Sequence, residues 1–279
     1  MKAVTKTLGV ARSNIIERVK GVRARRSPQV RDGDLELAAE IRRLVDERPT
    51  YSYRRITALL RSERSSDAAM VNHKRIYRLM KKHGLLLARH TGHRRQQAHD
   101  GKVVTLHSNT RWCSDAMEFT CWNNEIIRIA FAMDCHDREV IAWTATTAGI
   151  SGEIIRDLMI ACVERRFGTV RTPHSIQWLS DNGSVYAAAK TIELATALGL
   201  VPCFTPIESP ESNGIAEAFV KTFKRDYVRV NPIPDAANAL AAVGKWMADY
   251  NEVHPHSRLG YRSPSAYRRA TYQPAACPV

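Results

Sequence analysis

The feature that most constrains this chain is a change of hydrophobic period at Arg111. Before it, apolar residues recur at helical spacing: Leu35, Leu37, Ile41, Leu44 and Val45, then Ile56, Leu59 and Leu60, then Ile76, Leu79 and Met80. After it, the alternation of a half-buried strand takes over, with Asp115, Met117, Phe119 and Cys121 on one face of a segment running from Trp112 to Cys121. Such a chain must build a small all-α part followed by an α/β part. A carboxylate on the core side of a strand is unusual unless something pairs it, so Asp115 stands out from the first strand onward.

Past that strand, Asn123-Asn124 offers a hairpin turn, and Ile126–Asp134 and Val140–Thr147 read as strands two and three. Ser151 can cap a helix whose Ile154, Ile155, Leu158, Met159, Cys162 and Val163 form one stripe, stopped by Gly168. Ser175–Ser180 is strand four, closing on Asp181-Asn182-Gly183, and a helix near Lys190–Leu198 ends at Gly199. Strand five, Val201–Thr205, carries Pro202, which suits a sheet edge. A helix opening after Gly214 and another from about Asp235 to Glu252 complete the order β-β-β-α-β-α-β-α.

The helix after Gly214 places Glu217, Lys221 and Lys224 on one face and Ile215, Phe219 and Phe223 on another. Taken alone, the first face reads as that of a solvated surface helix with Glu–Lys pairs, which are common and weakly stabilising. With strands one and four side by side, Asp115 and Asp181 would meet at one end of the sheet, and the Glu217 helix would cross it. Three carboxylates converging there cannot all ionise cheaply without a cation. Two magnesium ions would neutralise them, and manganese would substitute. Asp134, Asp137 and Glu139 also crowd the end of strand two, but read as structural. The five tryptophans, at 112, 122, 143, 178 and 246, read as core residues.

Charge is distributed unevenly. Residues 1–110 hold 25 Lys or Arg against 10 Asp or Glu, whereas residues 111–279 hold 17 against 18. A basic region of this kind suits a polyanion. The helix from about Asn72 to His83 turns Lys74, Arg75, Arg78, Lys81 and Lys82 outward, as a helix-turn-helix-like DNA binder would, or as the solvated face of a small bundle. Residues 4–20 read as the second half of a further helix-turn-helix or as a short basic helix. The expected organisation is a partial helix-turn-helix with basic linker at 1–33, a helix-turn-helix-like domain at 34–87, a linker at 88–110, a catalytic core at 111–270 and a tail at 271–279. Six cysteines without a Cys-x-x-Cys pair fit reduced thiols. No apolar run approaches the roughly 18 residues of a membrane span, so no membrane partner is expected.

Four motifs carry a resemblance: Trp112-x-x-Asp115, Ser180-Asp181-Asn182-Gly183-x-x-Tyr186, Ser209-Pro210-x-x-Asn213-Gly214-x-x-Glu217, and the stretch Tyr250-Asn251 to His254-Pro255-His256 to Gly260-Tyr261 to Pro264. Together with the 35 residues between Asp181 and Glu217, and Lys224 seven beyond, they resemble the retroviral-integrase-like D-D-E transposases. The likeness is strongest to the OrfB proteins of the bacterial insertion-sequence-three family, in its insertion-sequence-two subgroup, and covers about residues 35–270.

The resemblance implies a ribonuclease-H-like mixed five-stranded sheet flanked by helices. It implies Asp115, Asp181 and Glu217 as catalytic residues and magnesium ligands. It further implies Lys221, Lys224, Asn182, Tyr186 and Asn213 near the DNA, along with the basic residues of the third helix. The implied activity is nicking at a transposon end and joining of the freed 3′-hydroxyl to DNA, a metal-dependent polynucleotidyl transfer. The implied partners are duplex DNA at terminal repeats and target, OrfA as a frameshift fusion, and further copies of the chain on DNA, in a bacterial, nucleoid-associated cytoplasmic setting. A DNA-binding regulator lacking catalysis, and a ribonuclease-H-type nuclease, are the alternatives. His254 stands where many relatives carry Arg.

Overall fold

The computed structural model describes Lys6, Thr7, Gly9 and residues 31–64, 71–88, 105–205 and 214–272. The expected partial helix-turn-helix at residues 4–20 lies almost wholly outside them, as do Asn213 and most of the 88–110 linker. The chain divides into two compact units, Met1–Glu40 and Ile41–Val279.

In the first unit the described part is chiefly the opening of helix α1 (Asp34–Glu47), where the Arg31 amide donates to Asp34 Oδ2 at 3.0 Å. Leu37 is buried, but Leu35 is 81% exposed, off the apolar stripe assigned to it. At 3.6 residues per turn, positions 35 and 37 lie about 200° apart and cannot both face inward.

The second unit holds everything else. Helices α2 (Tyr53–Glu63) and α3 (His73–Lys82) bury Ile56, Leu59, Leu60, Ile76, Leu79 and Met80 as the period predicts. Asn72 caps α3 by accepting from the Lys74 amide at 2.9 Å, whereas the Ser52 side chain makes no capping bond to α2. Arg55 of α2 pairs with Asp226, and Tyr51, just before α2, meets His254 edge-on, all within the unit that also holds the sheet.

The strands are β1 (Arg111–Thr120), β2 (Ile126–Asp134), β3 (Val140–Thr146), β4 (Ile176–Ser180) and β5 (Leu200–Phe204). Their order is β3-β2-β1-β4-β5: the first three form an antiparallel meander, and β1, β4 and β5 run parallel. Asn124 turns the β1–β2 hairpin with φ 68°. Pro202 sits in an edge strand, where its missing N–H costs nothing.

Helices cover both faces. On one side α4 (Gly152–Phe167) and α6 (Ala189–Ala197) pack Ile155, Leu158, Met159, Cys162, Val163 and Ala195 against Trp112, Ala130 and Trp178. The α4 ends are as expected, with Ser151 Oγ accepting from the Ile154 amide and Gly168 in the left-handed conformation. On the other side α7 (Gly214–Phe223) and α8 (Ala236–Glu252) pack Phe219, Phe223, Val243, Met247 and Tyr250 against Met117, Ile129 and Phe131. The short α5 (Ser184–Ala187) follows β4, and α9 (Pro264–Tyr272) closes the described chain, running past the expected core boundary at 270. The fold is thus a mixed five-stranded sheet flanked by helices, of ribonuclease-H-like class, preceded by helical structure.

Trp112, Trp178 and Trp246 are buried as expected, but Trp122 is 68% exposed at the hairpin tip. It lies beyond the last ladder pair, where no facing layer remains to cover it. The described cysteines are free thiols. Among the described residues no helix is long and apolar enough to cross a membrane.

Candidate active site

The sheet register sets two of the three acidic residues. In the parallel β1–β4 pair, Trp112 lies beside Trp178 and Cys113 beside Leu179. Two residues further on, the same offset sets Asp115 level with Asp181. Cys113, Leu179 and Met117 all belong to the layer under α7 and α8, and alternation puts both aspartates on that side. Here β4 has already ended at Ser180, so Asp181 opens a turn at the carboxyl end of its strand. Asp181 Oδ1 accepts from the Gly183 amide at 3.1 Å, and Asn182 Nδ2 donates to the Thr205 carbonyl at 2.7 Å. Asn182 therefore ties the turn to the end of β5.

Glu217 arrives on the first turns of α7. That helix is seated by Phe219, whose ring lies 4.6 Å from that of Phe131 and 4.8 Å from that of Tyr250. Phe131 is the cross-strand partner of Asp115 in the β1–β2 ladder, so one ring contact fixes the Glu217 helix over the Asp115 position. After Phe223 the helix widens into a π-turn, Lys224–Val228.

Electrostatics records the convergence. Asp115 is half-buried and its pKa is pushed up to about 6, first by burial and then by the Asp181 and Glu217 charges, against the Ala116 N–H bond that favours the anion. Glu217 meanwhile pairs with Lys221 at 3.0 Å, with both side chains substantially exposed. The Glu–Lys surface pair open from the sequence is therefore present. Among the described residues no three His, Cys, Asp or Glu side chains stand close enough together to hold a metal ion as they are. An exposed pair of this kind contributes at most about 1 kcal/mol and is easily exchanged. The donor set itself, three carboxylates with no sulfur or imidazole, suits a hard divalent cation such as magnesium.

The other expected residues fall into three groups. Lys221 is exposed and Lys224 half-buried on the Glu217 face, and Lys74, Arg78, Lys81 and Lys82 are exposed on α3, with Arg75 partly covered. Tyr186 departs from its assignment beside DNA: it is 5% exposed, in the layer under α4. Its hydroxyl meets Ser114 Oγ at 2.9 Å, and Ser114 in turn donates to the Phe131 carbonyl at 3.0 Å. Burial pushes the Tyr186 hydroxyl well above its usual range. Tyr186 therefore pins the turn after Asp181 to the strand residue next to Asp115, from behind the site. His254, too, is a core residue, accepting or donating at Nδ1 with the Tyr51 hydroxyl at 2.8 Å, and its pKa is depressed by burial.

Sequence reasoning missed a buried ion network. Asp226, in the π-turn, takes Arg55 of α2 at 2.9 Å and Arg225 at 2.6 Å, and its pKa is lowered: burial opposes this, but the Arg225 bond and the arginine charges prevail. Arg48 forks onto Asp249 at 2.7 and 2.5 Å, and Tyr227 donates to the same carboxylate at 2.9 Å. Asn251 pairs its amide with both backbone groups of Val140 at 2.9 Å. The only signal in the sequence was the presence of Asp226 and Asp249 at inward helical positions. Asp134, Asp137 and Glu139 are structural, as expected, gathered around buried Arg166. Arg166 Nη1 lies 3.1 Å from Glu139 but is misaligned for a hydrogen bond.

A helical domain followed by a sheet bearing this acidic face defines a class. Residues 32–94 match the HTH-like domain family, and residues 106–210 and 199–264 match the Integrase core domain family. The chain is 47% identical over 247 residues, 88% of its length and 81% of the relative's, to the transposase InsD of insertion element IS2 from Escherichia coli. It is 56% identical over 192 residues, 68% of its length and 98% of the relative's, to an uncharacterized protein of insertion element IS136 from Agrobacterium fabrum. Among solved structures it is similar to a simian T-cell lymphotropic virus intasome, at 18% identity and TM-score 0.49, covering 80% of this chain and 77% of that one. The chain belongs to the IS2-type transposases of the insertion-sequence-three family, enzymes with an integrase core.

Proposed function

We propose that this transposase nicks the ends of its element and joins the freed 3′-hydroxyl to DNA through Asp115, Asp181 and Glu217. The observation that supports this most is Asp115 itself, a carboxylate raised to about pKa 6 chiefly by burial and further by the nearby Asp181 and Glu217 charges. A site that strains to keep three anions together is matched to a dication. Magnesium, as two ions or with manganese in its place, would supply a Lewis acid for the attacking and leaving oxygens. In this reading Asp115, on a rigid central strand, is the fixed ligand. Asp181, held by the Gly183 amide, is the second. Glu217 joins them by leaving Lys221.

Lys221 and Lys224 lie one and two turns beyond Glu217, where their charge suits a phosphate just outside the site. The exposed face of α3 suits duplex DNA at the element's ends, as a helix-turn-helix reader does. Asn182 holds the turn and touches DNA only if the strand passes β5. The proposal also includes OrfA as a fusion partner and assembly of several copies on DNA. The test is metal-dependent nicking of end DNA by the full chain, compared with Glu217→Gln. Binding without nicking in any divalent metal would favour the regulator instead.

A further inference from the structure

The groove between α2 and the C-terminal signature, the stretch from Tyr250 to Pro264, holds chemistry that Asp115, Asp181 and Glu217 do not use. It is a cavity of about 860 Å³, lined by Arg54, Arg61, Arg262 and Arg269, with Tyr261 and, from the start of α3, His73. Two acidic residues also line it, and both are engaged: Glu63 pairs with Arg43 at 2.6 Å, and Glu252 with Arg269 at 3.1 Å. Arg61 spends Nε and Nη2 on the Val71 carbonyl. Arg54 and Arg262 are the exposed arginines of the groove that the described contacts commit to neither a carboxylate nor a backbone carbonyl. Arg54 is held in place by the Tyr53 hydroxyl at 3.1 Å and lies over that ring, 5.8 Å from its centroid.

The signature's part is built deliberately. Arg262 follows Tyr261, a non-glycine residue at φ 65°, and an isolated bridge pairs it with His256. A left-handed conformation is strained for a tyrosine and persists where the surroundings enforce it. The Ser257–Leu259 turn and Gly260 at φ 65° do so here, and present the Tyr261–Arg262 corner to the groove.

We propose that this groove grips the sugar–phosphate backbone of duplex DNA, with Arg54 and Arg262 each on one phosphate, flanking the stretch that α3 contacts. It rests on the reading that the substrate is DNA. His73 opens α3 and lines the groove, so the basic face of α3 and the groove form one continuous path. A helix-turn-helix leaves its first helix against the backbone while the second enters the major groove. Here the signature would supply the other wall, so one strand is held by the helical and the sheet parts of the same unit. Phosphate contacts of this kind set register and carry no sequence information.

The test uses the full chain and labelled duplex end DNA over 0.05–0.3 M salt. Each phosphate contact contributes about 0.9 to the slope of log affinity against log salt. Arg54→Ala with Arg262→Ala should lower the slope by about 1.8, which is about 60-fold in affinity near 0.1 M salt. The matched lysine pair should keep most of it, since a point charge suffices for a phosphate. A charge-matched control, Arg171→Ala with Lys245→Ala, should leave the slope unchanged. Phosphate-ethylation interference should lose two positions in the alanine pair, and its thermal midpoint should match wild type because both side chains are exposed. An unchanged slope in the alanine pair, an equal loss in the control, or a loss seen on single strands but not duplex would overturn the proposal. Wild type that binds and nicks while the alanine pair behaves identically sinks the groove alone; wild type that binds no end DNA sinks the transposition chemistry with it.

Discussion

Replacing Asp115 with Asn should stabilise the protein while destroying its chemistry. The carboxylate is raised from its ordinary 3.8 to about 6 by burial and by its two acidic neighbours. At 1.36 kcal/mol per pH unit this amounts to about 3 kcal/mol held against the ionised native state. The unfolded chain releases the proton near pH 3.8, the native protein only near 6. Across that window the native state binds more protons, so stability falls as pH rises and the whole penalty is present above pH 6. Asn carries no such charge. The variant should therefore exceed wild type by about 1 kcal/mol at pH 4.5 and about 3 kcal/mol at pH 7.5. Urea unfolding at both pH values reads the difference. Saturating magnesium should then stabilise wild type and close much of the gap at pH 7.5, because the cation balances the same charge. A gap of equal size at both pH values, or a variant no more stable than wild type at pH 7.5, would refute the reasoning.

Gly183→Ala should impair nicking more than stability: an added Cβ would stand 2.9 Å from Asp181 Oδ1 and must displace that carboxylate. End-DNA affinity should survive while the metal concentration at half-maximal nicking rises. Lys224→Ala should weaken end binding and strand transfer with metal affinity intact, and Lys224→Arg should keep much of both, as competition binding and joining assays would show. Arg55→Ala removes one of two arginines from buried Asp226, and should cost about 1–3 kcal/mol in urea unfolding, less than the loss of a sole partner. Phe219→Ala should cost about 3–5 kcal/mol by cavity formation, and loosen the Glu217 helix, lowering the nicking rate of whatever remains folded.

Much of this could be read from the chain because local periods report faces. Alternation in Trp112–Cys121 put Asp115 on the inward side, and the structure keeps it there. The strand pattern also implied β1 beside β4, which the sheet has. Caps at Ser151 and Gly168 and the edge position of Pro202 follow from backbone chemistry that needs no distant partner. Leu35 and Trp122 were misjudged because hydrophobicity alone does not say whether a second layer lies above a residue.

What the amino-acid sequence determined by itself was therefore the class of each segment, the order of strands and helices, and the three carboxylates on elements that can meet. Tertiary structure alone decided that Tyr186 braces the site from inside the core and that His254 is buried against Tyr51. It also joined α2 to the π-turn after the Glu217 helix through Arg55 and Asp226, 171 residues apart, and the α1–α2 connection to α8 through Arg48 and Asp249, 201 apart. Periodicity is a property of neighbours along the chain and fixes which way a side chain points. Whether a buried charge finds its partner depends on where two distant elements cross, and that is set only when the whole core packs.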